Sequence, residues 1–197
     1  MGNLLVGFSF IPFAFLAASA LPAAAQAPFG YTIVPSGQMS CQNAPKAQNK
    51  AGPQSIRRRT YLSDKGRAFL LFNPSNFAEG IAVPINGSGR AAMPFHVTRS
   101  GVTRTVQLSG SGSVRASGGT VRVSYNVSRS QPWGDGSTVT VRLAGAETYA
   151  VNPATGACTV QSASFTKHLS AGGSTFDDFT CRSAGPASCS IVKGAAQ

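Results

Sequence analysis

Val121-Arg-Val-Ser-Tyr-Asn-Val-Ser128 is the stretch that decides the fold class. Val121, Val123, Tyr125 and Val127 occupy every second position, and Arg122, Ser124, Asn126 and Ser128 lie between them. Successive side chains of an extended strand point to opposite faces, so a period of two describes a strand with one buried and one solvated face. A helix would scatter the same apolar residues around its circumference. Val139-Thr-Val-Arg-Leu143 repeats the pattern with Arg142 turned outward. The segment between the two strands contains Trp133-Gly-Asp-Gly136, a run of turn formers, and the pair is therefore expected to be antiparallel.

Further strands follow in both directions. Upstream, Ala68–Phe72 is a continuous apolar run closed by Asn73-Pro74, and Gly80–Ile85 ends at Asn86-Gly87, a hairpin dipeptide. Pro84 cannot donate to a ladder, which places that strand at a sheet edge. Ala91–Thr98 and Val102–Leu108 are also strand candidates, the second with Arg104 interrupting its apolar face. Downstream come Thr148–Val151, Cys158–Phe165, Phe176–Cys181 and Ser190–Lys193, with Ala171-Gly172-Gly173 as a turn. Tyr31–Val34 reads as a short first strand, and the polar stretch Ser36–Ser55 reads as a loop held at Cys41. Helical periodicity is nearly absent after the first 25 residues. The fold class is all-β: an antiparallel β-sandwich or small barrel with Gly/Ser-rich turns, preceded by a signal peptide.

Residues 1–25 carry the signal-peptide reading. Leu4 to Leu21 is almost wholly apolar and uncharged, Pro22 breaks any helix, and Ala23-Ala24-Ala25 offers the small residues that a signal peptidase requires. Cleavage is expected after Ala25, although Met1-Gly2-Asn3 lacks the usual basic residue. Residues 26–60 are expected to form an N-terminal extension or loop segment, and 61–197 a single all-β domain. About 170 residues are enough for one core. Export to a periplasmic or extracellular space of the bacterial envelope accords with the four cysteines, Cys41, Cys158, Cys181 and Cys189. Three pairings are possible. A Gly-Pro turn lies between Cys181 and Cys189, which favours joining those two and leaves Cys41 for Cys158.

The formal net charge is +11 with only six acidic residues, which creates a strong positive field. Arg57-Arg58-Arg59 forms a run, and Arg115, Arg122, Arg129 and Arg142 are spread over strands whose apolar sides are expected to face inward. Together these seven are the candidate basic face. Guanidinium forks suit phosphates, sulfates and carboxylates, so the expected partners are acidic polysaccharide, lipopolysaccharide or another polyanion. Exposed aromatics interleaved with the arginines are missing, which argues against a nucleic-acid readout. Trp133 is the single tryptophan, and in its turn it either contacts a ligand or caps the end of the core.

No motif specifies a reaction. The chain has no Walker loop, dinucleotide fingerprint or His-Glu-x-x-His, and no Gly-x-Ser-x-Gly marks a nucleophile. No metal site or cofactor is expected, since no Cys-x-x-Cys pair occurs and both histidines lie far from the cysteines. Asp177 and Asp178, as strand neighbours, point to opposite faces and form no dyad. The reading is a non-enzymatic binding or envelope-associated module for anionic surfaces or polysaccharides, with a hydrolase using His96 or His168 as one alternative. In leader, size, β-richness and paired cysteines the chain also resembles chaperone-usher pilus subunits, which implies a structural adhesion role. Its end, Cys189–Gln197, lacks the long alternating last strand of such subunits.

Overall fold

The computed structural model describes residues 30–71, 80–99, 101–183 and 187–194. The expected signal peptide and the Asn73-Pro74 turn lie outside the described residues. Within them the chain is all-β, with thirteen strands in one sheet. They are β1 (Tyr31–Ser36), β2 (Gln38–Asn43), β3 (Gln54–Ser55), β4 (Arg59–Leu62), β5 (Arg67–Leu71), β6 (Gly80–Pro84), β7 (Gly87–Arg99), β8 (Val102–Ser117), β9 (Thr120–Pro132), β10 (Thr138–Asn152), β11 (Ala157–Ala171), β12 (Ser174–Ser183) and β13 (Ala187–Lys193).

The main path runs β6-β5-β4-β1-β13-β11-β10-β9-β8-β7, antiparallel throughout. It curls until its two ends meet. Ile85, just past β6, forms a parallel bridge to Val114 of β8, and the Asn86 N–H donates to the Val114 carbonyl at 2.8 Å. The sheet is therefore a nearly closed barrel. Pro84 ends the path's terminal strand, in line with its edge reading. Asn86 takes φ 58°, yet the strands it joins are not a hairpin: β6 pairs with β5, and β7 pairs with β8.

β10 and β11 have 15 residues each, roughly 50 Å of extended chain. At that length β11 serves two neighbours. Thr159 and Val160 pair with β13, whereas Ser164–Ala171 pair with β12. Between these halves Thr148 of β10 pairs with Ser162 and Tyr149 with Val160, so Gln161 is an extra residue in the ladder. Such a bulge bends its strand. The sheet forks there, with β13 and β1 continuing the barrel and β12, β2 and β3 forming a second branch.

The core follows the period of two. Along β10, alternate residues from Val139 to Val151 are buried, and in β9 so are Val121, Val123, Tyr125 and Val127. The expected β9–β10 antiparallel pair and the Gly172-Gly173 turn are both present.

The N-terminal reading needs correction. The expected short strand at Tyr31–Val34 is present as β1, between β4 and β13, but within the expected extension β2 and β3 also join the sheet, β2 by pairing with β12. The polar Ser36–Ser55 stretch shows no apolar alternation because β2 is a marginal strand that buries chiefly Met39. Its loop continues the pairing through backbone bonds, with Ala44 N–H donating to the Asp178 carbonyl at 2.8 Å and Asn49 N–H to that of Phe176 at 2.8 Å.

The disulfide pairing is corrected as well. Cys41 is bonded to Cys181 and Cys158 to Cys189. Cys41 and Cys181 are register partners on β2 and β12, and Cys158 lies beside β13, which carries Cys189. Proximity along the chain was the wrong guide because Cys181 and Cys189 belong to different branches of the fork.

Candidate functional site

The seven candidate arginines separate into distinct environments. Arg115 on β8 and Arg122 on β9 are direct register partners on the outward face. Directly opposed strand residues have Cβ atoms about 4.5–5.5 Å apart, and like charges at that spacing destabilise the pair. One Arg115 Nη1 bond, to the Asn86 carbonyl at 2.6 Å, fixes its guanidinium beside the barrel closure. Asn86 in turn accepts at Oδ1 from the Ala116 N–H at 2.7 Å. Across the closure, Arg67 on β5 is the register partner of Pro84. On β7, exposed Arg90 pairs with Ser111 and stands on the outward side. The set around the closure is thus Arg67, Arg90, Arg115 and Arg122. Arg67 and Arg90 were missed in the sequence, because only the barrel's closure brings β5 and β7 beside β8.

The remaining candidates lie elsewhere. Arg142 pairs with Ser128 whereas Arg122 pairs with Thr148, which separates the two by six residues along the ladder, roughly 20 Å. Arg129 has the parity of Val127 and opposes Val141, so it is on the face opposite Arg122. Arg57 is exposed and Arg59 is half-buried at the start of β4.

Arg58 is not on the surface at all. Its guanidinium is bound to Glu147, Nη2 to Oε1 at 2.6 Å and Nε to Oε1 at 2.8 Å, with side chains 10% and 2% exposed. It lies 4.8 Å from the Tyr125 ring centroid and 5.4 Å from that of Phe165. Gly145 makes the room, since a Cβ there would collide with Arg58 and the Tyr125 ring. The Tyr149 hydroxyl donates to Glu147 Oε2. Burial, and then the neighbouring Glu147 charge, hold the Tyr149 phenol well above its ordinary range.

Trp133 is also removed from the candidate contacts. It is buried beneath Arg104, whose Cζ lies 4.9 Å from the ring, and it caps the core end.

Acidic groups are already engaged. Glu147 holds Arg58, Lys167 Nζ meets Asp177 Oδ2 at 2.7 Å, Arg99 Nη1 meets Asp135 Oδ2 at 2.9 Å, and His168 Nδ1 meets Asp178 Oδ2 at 3.4 Å. Asp64, exposed in the β4–β5 turn, is the remaining described carboxylate. Asp177 and Asp178 do face opposite ways. Burial raises the Asp177 carboxyl, but hydrogen bonds from Lys167 and Asn49 and the Lys167 charge outweigh it and leave the pKa lowered. Among the described residues, no group of three or more His, Cys, Asp and Glu side chains is placed to hold a metal ion.

The histidines differ. His96 is exposed, and its ring Nδ1 lies 3.1 Å from Thr105 Oγ1. His168 stands between two groups on the outward face: its Nε2 lies 3.2 Å from Ser170 Oγ, opposite the Asp178 contact. Residues two apart on one strand share a face, so His168-x-Ser170 was legible in the sequence. The register of Asp178 was not.

No protein-family model, no curated protein and no solved structure matches this chain. Its class is defined by the fold: an all-β, nearly closed and forked sheet with one disulfide in each branch. Among the described residues no helix is long and apolar enough to cross a membrane.

Proposed function

We propose that this is an exported, non-enzymatic module that binds acidic polysaccharides or the anionic head groups of lipopolysaccharide. The observation that carries the reading is the direct opposition of Arg115 and Arg122 on the outward face, beside the closure and with no carboxylate bound to either among the described residues. An anion bridging the two converts a repulsive contact into charge-assisted hydrogen bonds. Arg67 and Arg90 extend the same region. The two disulfides suit an oxidising compartment.

The test separates a located site from general basicity. Heparin and uncharged dextran serve as probes in a salt series, with the double variant Arg115→Gln/Arg122→Gln set against Arg57→Gln/Arg142→Gln, which has the same net charge. The first is expected to weaken heparin binding and flatten its salt dependence markedly more than the second. Equal effects, or dextran binding as tightly as heparin, overturn the reading.

A second reading, ester hydrolysis at Ser170, is favoured by the position of His168 between Ser170 and Asp178. In that reaction His168 Nε2 takes the Ser170 hydroxyl proton as Oγ attacks the acyl carbon. The proton then passes to the departing alkoxide, and water releases the acid. A fluorophosphonate that labels the wild type at Ser170, but not His168→Ala, supports it. Absence of labelling removes it.

A further inference from the structure

A cavity of about 320 Å³ lies where the ends of β7, β10 and β11 on the main path meet β12 and the β2–β3 loop of the second branch. Its walls include Val97, Val139, Leu169 and Phe176, and its polar lining includes Arg99 and Asn49. The bulge in β12 builds one wall: Leu169 pairs with Asp177 and Ser170 with Thr175, which leaves Phe176 as the extra residue. The volume falls at the lower end of the roughly 300–1,000 Å³ range of small-molecule sites, and apolar walls with a few fixed polar groups are their usual lining.

Arg99 decides what the cavity accepts. It is anchored through a single nitrogen, Nη1, which contacts both Asp135 Oδ2 at 2.9 Å and Ser137 Oγ. Asp135 is itself fixed, since Oδ1 accepts from the Ser137 N–H at 3.0 Å and from the Ser137 hydroxyl at 2.6 Å. Nε and Nη2 have no partner among the described residues, and together they form the side of the guanidinium fork that grips a carboxylate with two parallel hydrogen bonds. Asn49 Nδ2 gives one of its two hydrogens to Asp177 Oδ1 at 2.8 Å, and the Thr98 hydroxyl, also in the lining, lies 2.8 Å from that of Thr103. The charged donor of the lining is therefore a held cation at an apolar hollow.

The geometry points to a binding site for a small amphipathic carboxylate, of the medium-chain fatty acid class, with its chain between Leu169 and Val97 and its carboxylate on the Nε/Nη2 edge of Arg99. This site shares no residue with the outward arginines, and either assignment stands or falls without the other. No covalent step is involved.

Trp133 supplies the reporter. It is the chain's single tryptophan, and its backbone N–H donates to the carbonyl of Ser137, the residue that anchors Arg99. Octanoate, 1-octanol and octyltrimethylammonium are titrated into the disulfide-intact protein, with fluorescence and calorimetry as readouts. Octanoate is expected to saturate at one equivalent and to bind about tenfold or more tighter than the alcohol, the cation failing to bind. Arg99→Gln is expected to remove that tenfold preference and leave octanol affinity within about twofold, and Arg99→Lys to restore part of it. Ala171→Leu, which fills the hollow from β11, abolishes binding of both. No saturable octanoate binding, or a preference for carboxylate that survives Arg99→Gln, overturns the assignment. Circular dichroism of each variant checks that the sheet is intact.

Discussion

Replacing Glu147 with Gln removes one charge from the barrel interior and leaves its partner behind. The Glu147 carboxylate accepts from Arg58 Nε and Nη2 at Oε1 and from the Tyr149 hydroxyl at Oε2. Glutamine keeps a carbonyl acceptor for Arg58 but presents an amide donor to the Tyr149 hydroxyl. The larger effect is electrostatic, because the Arg58 guanidinium stays buried against the Tyr125 and Phe165 rings without its carboxylate. Breaking a buried pair in this way costs about 3–5 kcal/mol. A domain of this size has a total stability of about 5–15 kcal/mol, so the variant should lose roughly a fifth or more of it. At roughly 2–4 °C per kcal/mol the melting temperature falls on the order of 10 °C. Urea unfolding of the oxidised protein measures the difference directly, with an unchanged slope showing that the unfolded states are comparable. The double variant Arg58→Met/Glu147→Leu removes both charges and is expected to recover most of the loss, since apolar replacement of a buried pair is often neutral. An E147Q variant within about 1 kcal/mol of wild type would falsify the view that Glu147 compensates a buried Arg58 charge.

Other outcomes follow from the same structure. Peptide mapping of the oxidised protein should find Cys41 linked to Cys181 and Cys158 to Cys189. Removing the first link, which closes a 140-residue separation, should cost about 5 kcal/mol in the chain-entropy model, and removing the second, with separation 31, about 4 kcal/mol. The lowered Asp177 pKa means that the unfolded chain binds the proton more readily than the folded one. Its contribution is therefore present above the ordinary aspartate value of about 3.9 and disappears as the pH falls through the lower folded value, and Asp177→Asn should flatten the acid limb of a stability-versus-pH curve. The raised Tyr149 pKa acts at the other end: stability is complete below about pH 10 and declines above it, and Tyr149→Phe should lessen that decline. Arg104→Gln removes the cation over Trp133, so the tryptophan emission should shift while stability drops by only about 0.5–1 kcal/mol.

Strands with one apolar face were legible, and the reasons are local. In β9 and β10 each buried side chain is two residues from the next, and the turn between them carries its own signature. The same alternation held an unused signal, because Glu147 occupies the row of Val139, Val141 and Leu143 and was bound to face inward, where it needed a cation. Arg58 gave no sign of being that cation. It sits in a run of three arginines that reads as surface, and its burial depends on Gly145, a residue of a distant strand. β2 escaped notice because it has little apolar alternation and is held to β12 by backbone pairing and the Cys41–Cys181 bond. The cysteine pairing depends on which branch each strand joins, a property of the fork at Gln161 and of no short segment. The candidate basic face was partly legible. Alternation placed Arg122 outward, but Arg115 lay beyond the expected Val102–Leu108 strand, and strand register decided that the two oppose one another and that Arg129 turns to the other side.

The fork also accounts for where the staples stand. A strand that leaves one neighbour for another has, at the point of exchange, ladder groups with no partner on one side, and such a point is a place for local opening. Each branch is tied close to it. Cys158 joins β11 to β13 just before the bulge, and Cys181 joins β12 to β2 on the other side. Two acids lie off the surface: Glu147 neutralises buried Arg58, and Asp177 in the second branch meets half-buried Lys167. Among the described residues four of the carboxylates are paired elsewhere, and none is bound to Arg115 or Arg122. The closure brings β5, β7 and β8 together, and with them Arg67, Arg90 and Arg115, whereas Arg129 and Arg142 stay apart from that set.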